Sequence, residues 1–276
     1  MKRSIKILIA LVILASVFTL IATGMTSCRV INSIDPNKHL NLDGYELVMC
    51  DDFDGDSLDL SIWEYRLSGA RRSGYNHPDQ ISVKDGNLVL TAEYKNGEYG
   101  EGWYAGMIRL KEEYTYGYFE IRCIPNPKDC FWSAFWLQSK NAYIHEASCG
   151  GVYGAEIDIF ETYKNHTFKT KNFITSSIHC NGSDDDVANI DSKRIVKTYV
   201  PRIRSEYHTF GLLWTESEYI FYVDGVETGR SSFASGVSTT PEEVIVSLEI
   251  PDEITWKKSQ TTQFIVDYVK IYRQKP

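Results

Sequence analysis

Three turn dipeptides constrain this chain more than any other feature. Asp85-Gly86 lies between Ile81-Ser82-Val83 and Leu88-Val89-Leu90, Asp224-Gly225 follows Tyr219-Ile220-Phe221-Tyr222-Val223, and Asn96-Gly97 separates two Tyr-rich stretches. Asn, Asp and Gly tolerate the left-handed backbone that two-residue turns require, and the twist of such turns matches that of paired strands. Each dipeptide therefore predicts a hairpin. Past residue 28 no segment keeps a 3.6-residue apolar period over several turns. The pattern predicts an all-β chain, a large antiparallel sandwich in one domain over residues 45–276. A 43% hydrophobic content in 276 residues is enough for one sizeable core. The 18 Tyr and 6 Trp suit strands, and exposed rings would also suit a groove for flat ligands.

The N-terminus is read separately. Lys2, Arg3 and Lys6 precede an uncharged, mainly apolar stretch from Ile7 to Met25, so residues 1–28 are expected to be a targeting segment. That stretch is long enough to span a bilayer. Met25-Thr26-Ser27-Cys28 also resembles a degenerate bacterial lipoprotein processing site, in which Cys28 would carry the lipid. Cleavage, retention as an anchor and lipidation of Cys28 stay open. All three place the domain outside the cytoplasm, secreted or at the cell surface, and confine membrane contact to this segment. Residues 29–44, polar and containing Pro36, Asn37 and Gly44, are expected to be a linker.

The net charge of -8 and the absence of a basic stripe exclude a nucleic-acid partner and disfavour highly sulfated ligands. Cys123 and Cys130 flank Pro125 and Pro127 in a loop that a disulfide could close, although buried free thiols fit as well. No Cys or His cluster has zinc spacing, so no transition metal is expected.

The chemistry concentrates in Gly154-Ala155-Glu156-Ile157-Asp158-Ile159-Phe160-Glu161-Thr162. On a regular strand Glu156 and Asp158 share one face, and Glu161, five residues after Glu156, faces the other way. One extra residue, a β-bulge at Ile159-Phe160, would return Glu161 to the acidic face. Three carboxylates would then line one surface. A retaining glycoside hydrolase needs a carboxylate nucleophile and a protonated acid/base close together. Glu156 fits the first role and Glu161 the second, with Asp158 orienting Glu156 and helping to keep Glu161 protonated by like-charge repulsion. Taken alone, the pattern also fits a solvated acidic strand face or a calcium site.

Its surroundings separate these readings. Gly154 to Glu161 resembles the catalytic signature of glycoside hydrolase family 16, in the longer, bulged form of laminarinase-like members. Asp51-Asp52-Phe53-Asp54-Gly55 with Leu58 and Trp63 is similar to the family's opening strand, and Asp85 to Ala92 to its next hairpin. Tyr116 to Arg122, Phe131 to Trp136 and Ser177-Ile178-His179 follow in family order. Trp214, Phe221 to Gly225 and Val266 to Tyr272 match the closing elements, so the likeness runs from about 45 to 273.

The resemblance implies a jelly-roll, concanavalin A-like sandwich of two antiparallel sheets, with a carbohydrate cleft and the roles above for Glu156, Asp158 and Glu161. It points to His179 near the acid/base and to Trp132 as a sugar platform, with Phe131 and Phe135 turned into the core. Trp136 is expected in the core. Trp103 and Trp256, read as loop residues, are expected at outer subsites. Asp267 and the carbonyl of Gly86 match the family's structural calcium site, while catalysis itself needs no cofactor. Glu249, within Val246 to Pro251, departs from the Asn- and Gly-containing stretch of glucan-cleaving relatives, and the 141–152 and 181–186 segments would reshape the cleft rims. The expected activity is endo-hydrolysis of β-1,3- or mixed β-1,3/1,4-glucan by a monomer acting on polysaccharide or oligosaccharide. A β-galactanase, a wall transglycosylase and a non-catalytic carbohydrate-binding protein remain as alternatives.

Overall fold

The computed structural model describes residues 38–127, 131–142, 151–162, 171–181, 191–233, 236–251 and 258–276. The expected targeting segment, Trp256, Cys28, Cys130 and Cys149, and most of the two rim segments lie outside them. Among the described residues, eighteen strands form two sheets.

The smaller sheet carries the site. It contains β2 (Trp63–Tyr65), β8 (Met107–Tyr114), β10 (Trp132–Gln138), β11 (Glu156–Glu161), β12 (Phe173–Cys180), β13 (Asp191–Tyr199) and β17 (Glu242–Glu249), in the spatial order β13-β12-β11-β10-β17-β8-β2. The larger sheet runs through β16 (Val226–Ser231), β15 (Tyr219–Val223), β14 (His208–Trp214), β9 (Gly117–Ile124), β18 (Thr262–Gln274), β6 (Asn87–Gly97), β7 (Gly100–Ala105), β4 (Gly74–Asn76) and β3 (Gly69–Arg71). In addition, β1 (Tyr45–Asp51) pairs with β18 and β5 (Ile81–Lys84) pairs with β6. Among the described strands every pairing is antiparallel except that of the short β4 with β7, which is parallel, and the expected sandwich of two antiparallel sheets is present.

Two of the three turn signals act as read. Asp85 and Gly86 take φ of 53° and 70°, and Asp224 and Gly225 take 50° and 73°, the left-handed pair that joins twisted strands tightly. The third is displaced. Gly97 pairs with Gly100, so Glu98 and Tyr99 make the turn and Asn96 stays in the strand opposite Glu101. Packing outweighs the turn preference here, because Tyr104 lies against Gly97 and its hydroxyl accepts from the Tyr99 amide and donates to the Gly100 carbonyl.

One apolar core fills the space between the sheets. Phe135, Leu137, Ile157, Phe160 and Val246 meet Phe119, Ile121, Phe210, Leu212 and Phe264 there. Cys123 is a free thiol buried in this core, so the disulfide considered for it is not formed. The linker expectation extends too far. His39 bridges Val226, the Leu40 amide donates to Gly225, and Leu40 and Leu42 pack on a small cluster around Tyr118, Ile220 and Tyr222.

Candidate active site

The acidic strand is set by its first residues. Gly154 has φ +140°, and a side chain there would meet Ser139 Oγ at 2.6 Å, so glycine is needed at this entry. Alternation along β11 then sends Ile157 into the core and Glu156 and Asp158 to the opposite face.

The expected bulge is present. Asp158 pairs with Ser177 and Glu161 with Thr175, leaving Ser176 opposite two residues. Against β10, Asp158 faces Trp136 and Phe160 faces Phe135, so Ile159 is the inserted residue. Ile159 and Phe160 both enter the core, and Glu161 comes back to the face of Glu156 and Asp158. The Ile159 carbonyl accepts a hydrogen bond from the buried Ser176 hydroxyl at 2.8 Å, which stabilises the irregular position.

These acids line a cleft of about 320 Å³ on the face of the smaller sheet turned away from the core. Its floor follows from strand register. Trp132, Ala134, Trp136 and Gln138 lie opposite Glu249, Ser247, Ile245 and Glu243. Met107, Trp132, Ala134, Trp136 and Ile245 form a small apolar cluster apart from the main core. Trp136, expected in the core, therefore belongs to the cleft floor, with its indole N–H donating to Ser247 Oγ at 3.1 Å. Phe131 and Phe135 enter the core as expected. Trp103 is a strand residue, only 6% exposed and packed edge-on against Tyr94 and Phe131. It is core rather than an outer subsite, because its neighbours Gly100 and Gly102 belong to β7 and not to a loop.

Electrostatics divides the acids. Burial pushes the Glu161 carboxyl well above its ordinary value, and the charges of Asp158, Glu156 and Glu249 add to this, against an opposing contribution from Arg72. Its protonated form is thus favoured beside ionisable neighbours. His179 Nε2 lies 3.0 Å from Asp158 Oδ2, and Nδ1 lies 2.7 Å from Ser192 Oγ. Burial of His179 favours its neutral form. The Asp158 hydrogen bond and charge, with that of Glu156, outweigh it and raise the imidazole to about 9. At neutral pH His179 is therefore an imidazolium that donates to Asp158.

Three arginines that the sequence reading passed over also line the cleft. Arg71 and Arg72 each donate to Glu249, at 3.3 and 3.4 Å, and the Arg72 guanidinium lies over the Trp132 ring at 4.8 Å. Glu249 is 3% exposed, and two guanidiniums face its carboxyl group. Arg66 stacks over Trp136 at 5.1 Å. The signal for this wall was the density of arginine in 66–72. Its geometry was not legible, since Leu67 and Arg72 take left-handed φ of 51° and 50° that sequence does not announce. A buried acid was missed too. Glu242 Oε1 accepts from the Ala155 amide at 3.3 Å, Oε2 has no partner, and burial raises the carboxyl to about 8, against the hydrogen bonds from Ser238 and Ala155.

Asp267 is paired with Arg122, and Gly86 sits at a hairpin tip. The guanidinium contacts one oxygen of that carboxylate, Oδ2. Among the described residues the only clustered donor set is Glu156, Asp158 and His179, where the imidazolium already holds Asp158.

A protonated carboxylic acid and further carboxylates in one sugar-sized cleft on a β-sandwich are the equipment of a glycoside hydrolase. Residues 46–273 match the family model described as the GH16 domain of beta-porphyranase A–D, and the chain belongs to glycoside hydrolase family 16. It is 27% identical over 202 residues to an endo-1,3-1,4-beta-glycanase, EglC, of Rhizobium meliloti, covering 70% of this chain and 39% of that relative. It is 26% identical over 265 residues to a beta-glucanase of Rhodothermus marinus, covering 83% and 85%. Among solved structures, the laminarinase catalytic domain of Thermotoga maritima superposes with a TM-score of 0.64 at 22% identity, over 84% of this chain and 99% of that one. LamA of Z. galactanivorans, solved with laminaritriose and laminaritetraose, gives 0.67 at 18%, over 82% and 98%.

Proposed function

We propose that this domain is a retaining endo-glycoside hydrolase that cleaves internal linkages of β-1,3- or mixed β-1,3/1,4-glucan. The observation that carries the reading is the bulge, which sets Glu156, Asp158 and Glu161 on one cleft face, where burial and like charges favour the protonated form of Glu161. In the first step Glu161 gives its proton to the leaving glycosidic oxygen while Glu156 attacks the anomeric carbon. The resulting Glu161 carboxylate then takes a proton from water, which displaces Glu156 and restores the starting state. Asp158, hydrogen-bonded to His179, is one of the groups that raise the Glu161 carboxyl and so favour its protonated form. Trp132 and Trp136, each with a guanidinium over its ring, build the cleft floor beside these acids. The substrate class rests on the glucan-cleaving relatives.

A second reading, cleavage of β-galactan, has two supports: the porphyranase description of the matching family model and the arginine-held Glu249 beside Trp132. The test is an oligosaccharide panel of β-glucans and β-galactans digested by wild type and Glu156→Gln, with the first-formed anomer followed by NMR. Cleavage of laminari-oligosaccharides to the β-anomer, reduced by at least ~10³-fold in Glu156→Gln, is expected. Cleavage of galactans alone would move the assignment to the second reading, and an α-anomer would overturn the mechanism. The domain is further proposed to work outside the cytoplasm, held by the 1–28 segment, and metabolic labelling with a fatty acid in wild type and Cys28→Ala tests the lipidated form.

A further inference from the structure

A continuous polar chain crosses the smaller sheet and ends on Glu156. Gln138 Nε2 donates to Glu156 Oε2 at 2.7 Å, and Gln138 Oε1 accepts from Arg66 Nη2 at 2.5 Å. Arg66 Nε pairs with Glu243 at 3.1 Å, Glu243 pairs with Arg109, and Arg109 pairs with Glu64. These residues come from β11, β10, β17, β8 and β2, the five neighbouring strands on that side of the sheet, with Arg66 just after β2. The chain is sheltered, since Arg66 and Glu243 side chains are 13% and 9% exposed.

The arrangement has a direction. An amide side chain can turn over and exchange its donor and acceptor ends, and Gln138 alone would leave that open. Arginine has donors only, so Arg66 forces Gln138 to present its oxygen to the guanidinium and its N–H₂ to Glu156. Arg66 cannot swing away easily, because Glu243 holds one edge and the Trp136 ring covers a face. We infer that Gln138, locked in one orientation by Arg66, is a positioning residue that fixes the Glu156 carboxylate in its attacking orientation and ionised form.

This deepens the reading of Glu156 as nucleophile and rests on it. A hydrogen bond donated to a carboxylate favours its charged form. Something has to do so here, because Asp158 and Glu161 on the same strand and Glu242 on β17 place carboxyl groups near Glu156. Among the described residues, His179 on β12, Arg66 behind Gln138, and Arg71 and Arg72 at Glu249 bring positive charge to the cleft region. Gln138 transmits the arginine's polarisation without itself bringing a proton that Glu156 could take. A glutamate at 138 would lack that donor when ionised, which gives the residue type a reason.

The experiment measures kcat/KM against pH for wild type, Gln138→Met, Arg66→Met and Arg66→Lys on the substrate identified by the panel, with Glu156→Gln as a control. Gln138→Met keeps side-chain length and removes the donor. Its acidic limb is expected to move up by about one pH unit, with kcat reduced at least ~10-fold and KM changed little. Arg66→Met should shift the limb the same way by less, and Arg66→Lys should recover most of the loss. A melting temperature near that of wild type separates positioning from misfolding. If Gln138→Met were poorly folded, the Arg66 pair carries the test alone. A Gln138→Met profile superimposing on wild type, while Glu156→Gln is inactive, would overturn the positioning role and leave the mechanism standing. Activity retained by Glu156→Gln would instead overturn the mechanism.

Discussion

The two faces of β10 and β11 are built from the same few residues and do opposite work. On the inner face Phe135, Leu137, Ile157 and Phe160 are fully buried against the larger sheet. Each contributes roughly 1.5–3 kcal/mol by leaving water. On the outer face, two residues away at most, Glu156, Asp158 and Glu161 crowd like-charged groups into a sheltered cleft. That crowding opposes folding, and the inner face supplies the stability that offsets it. Stability and chemistry are therefore separated by direction and not by distance along the chain, with a strand's twofold alternation as the divider.

The sharpest way to break this contrast is to remove Glu161. Glu161→Ala should lower kcat on the polymer by about 10²–10⁴-fold, the contribution of a general acid, and leave the melting temperature unchanged or raised. An aryl glycoside with a good leaving group should recover much of the rate. A clear fall in melting temperature would show that the cleft face stabilises the fold after all.

Phe210→Ala is the mirror experiment. This side chain is fully buried and its ring lies 4.3 Å from that of Phe160. Its loss should cost about 3–5 kcal/mol in urea unfolding, with kcat/KM at a permissive temperature within a few-fold of wild type. A large catalytic defect in well-folded protein would erase the separation.

Two titrating groups sharpen it by pH. Glu242 has its carboxyl raised to about 8, so between the ordinary value of 4.5 and 8 the folded state holds a proton that the unfolded chain has lost. Stability must then fall as pH rises through that window. Glu242→Gln should remove the fall, and its melting temperature relative to wild type should be higher at pH 8 than at pH 5. His179, raised from 6.5 to about 9, has a narrower window and the opposite reference. Its contribution is complete below about 6.5 and is lost as pH climbs through 9. His179→Asn should destabilise at pH 6 by more than at pH 10, an effect smaller than that of Glu242 because the shift is smaller. Equal destabilisation at both pH values would mean that folding does not raise the imidazole's affinity for its proton.

Much of this was legible before any coordinates. The all-β class, two of three hairpins, the bulge and the shared face of the three acids follow from local rules: turn residues need left-handed backbone, and strand side chains alternate. The same rules misplaced Trp103 and Trp136. Both readings turned on whether a ring sits in a strand and which sheet covers it, and alternation alone cannot say which face meets the other sheet. The partner of Asp267 was not legible for a related reason, since Arg122 is 145 positions away in sequence and reaches it only across paired strands.

The chain's own order of residues thus determined the strands, their turns and the side of β11 on which its acids emerge, because those depend on neighbours within a few positions. What surrounds the acids was decided by tertiary structure alone. Arg66 and Glu243, Arg71 and Glu249, and Gln138 and Arg66 are brought together by sheet register over long separations. Charge acts through space, so the protonation and aim of the acids belong to the folded sheet.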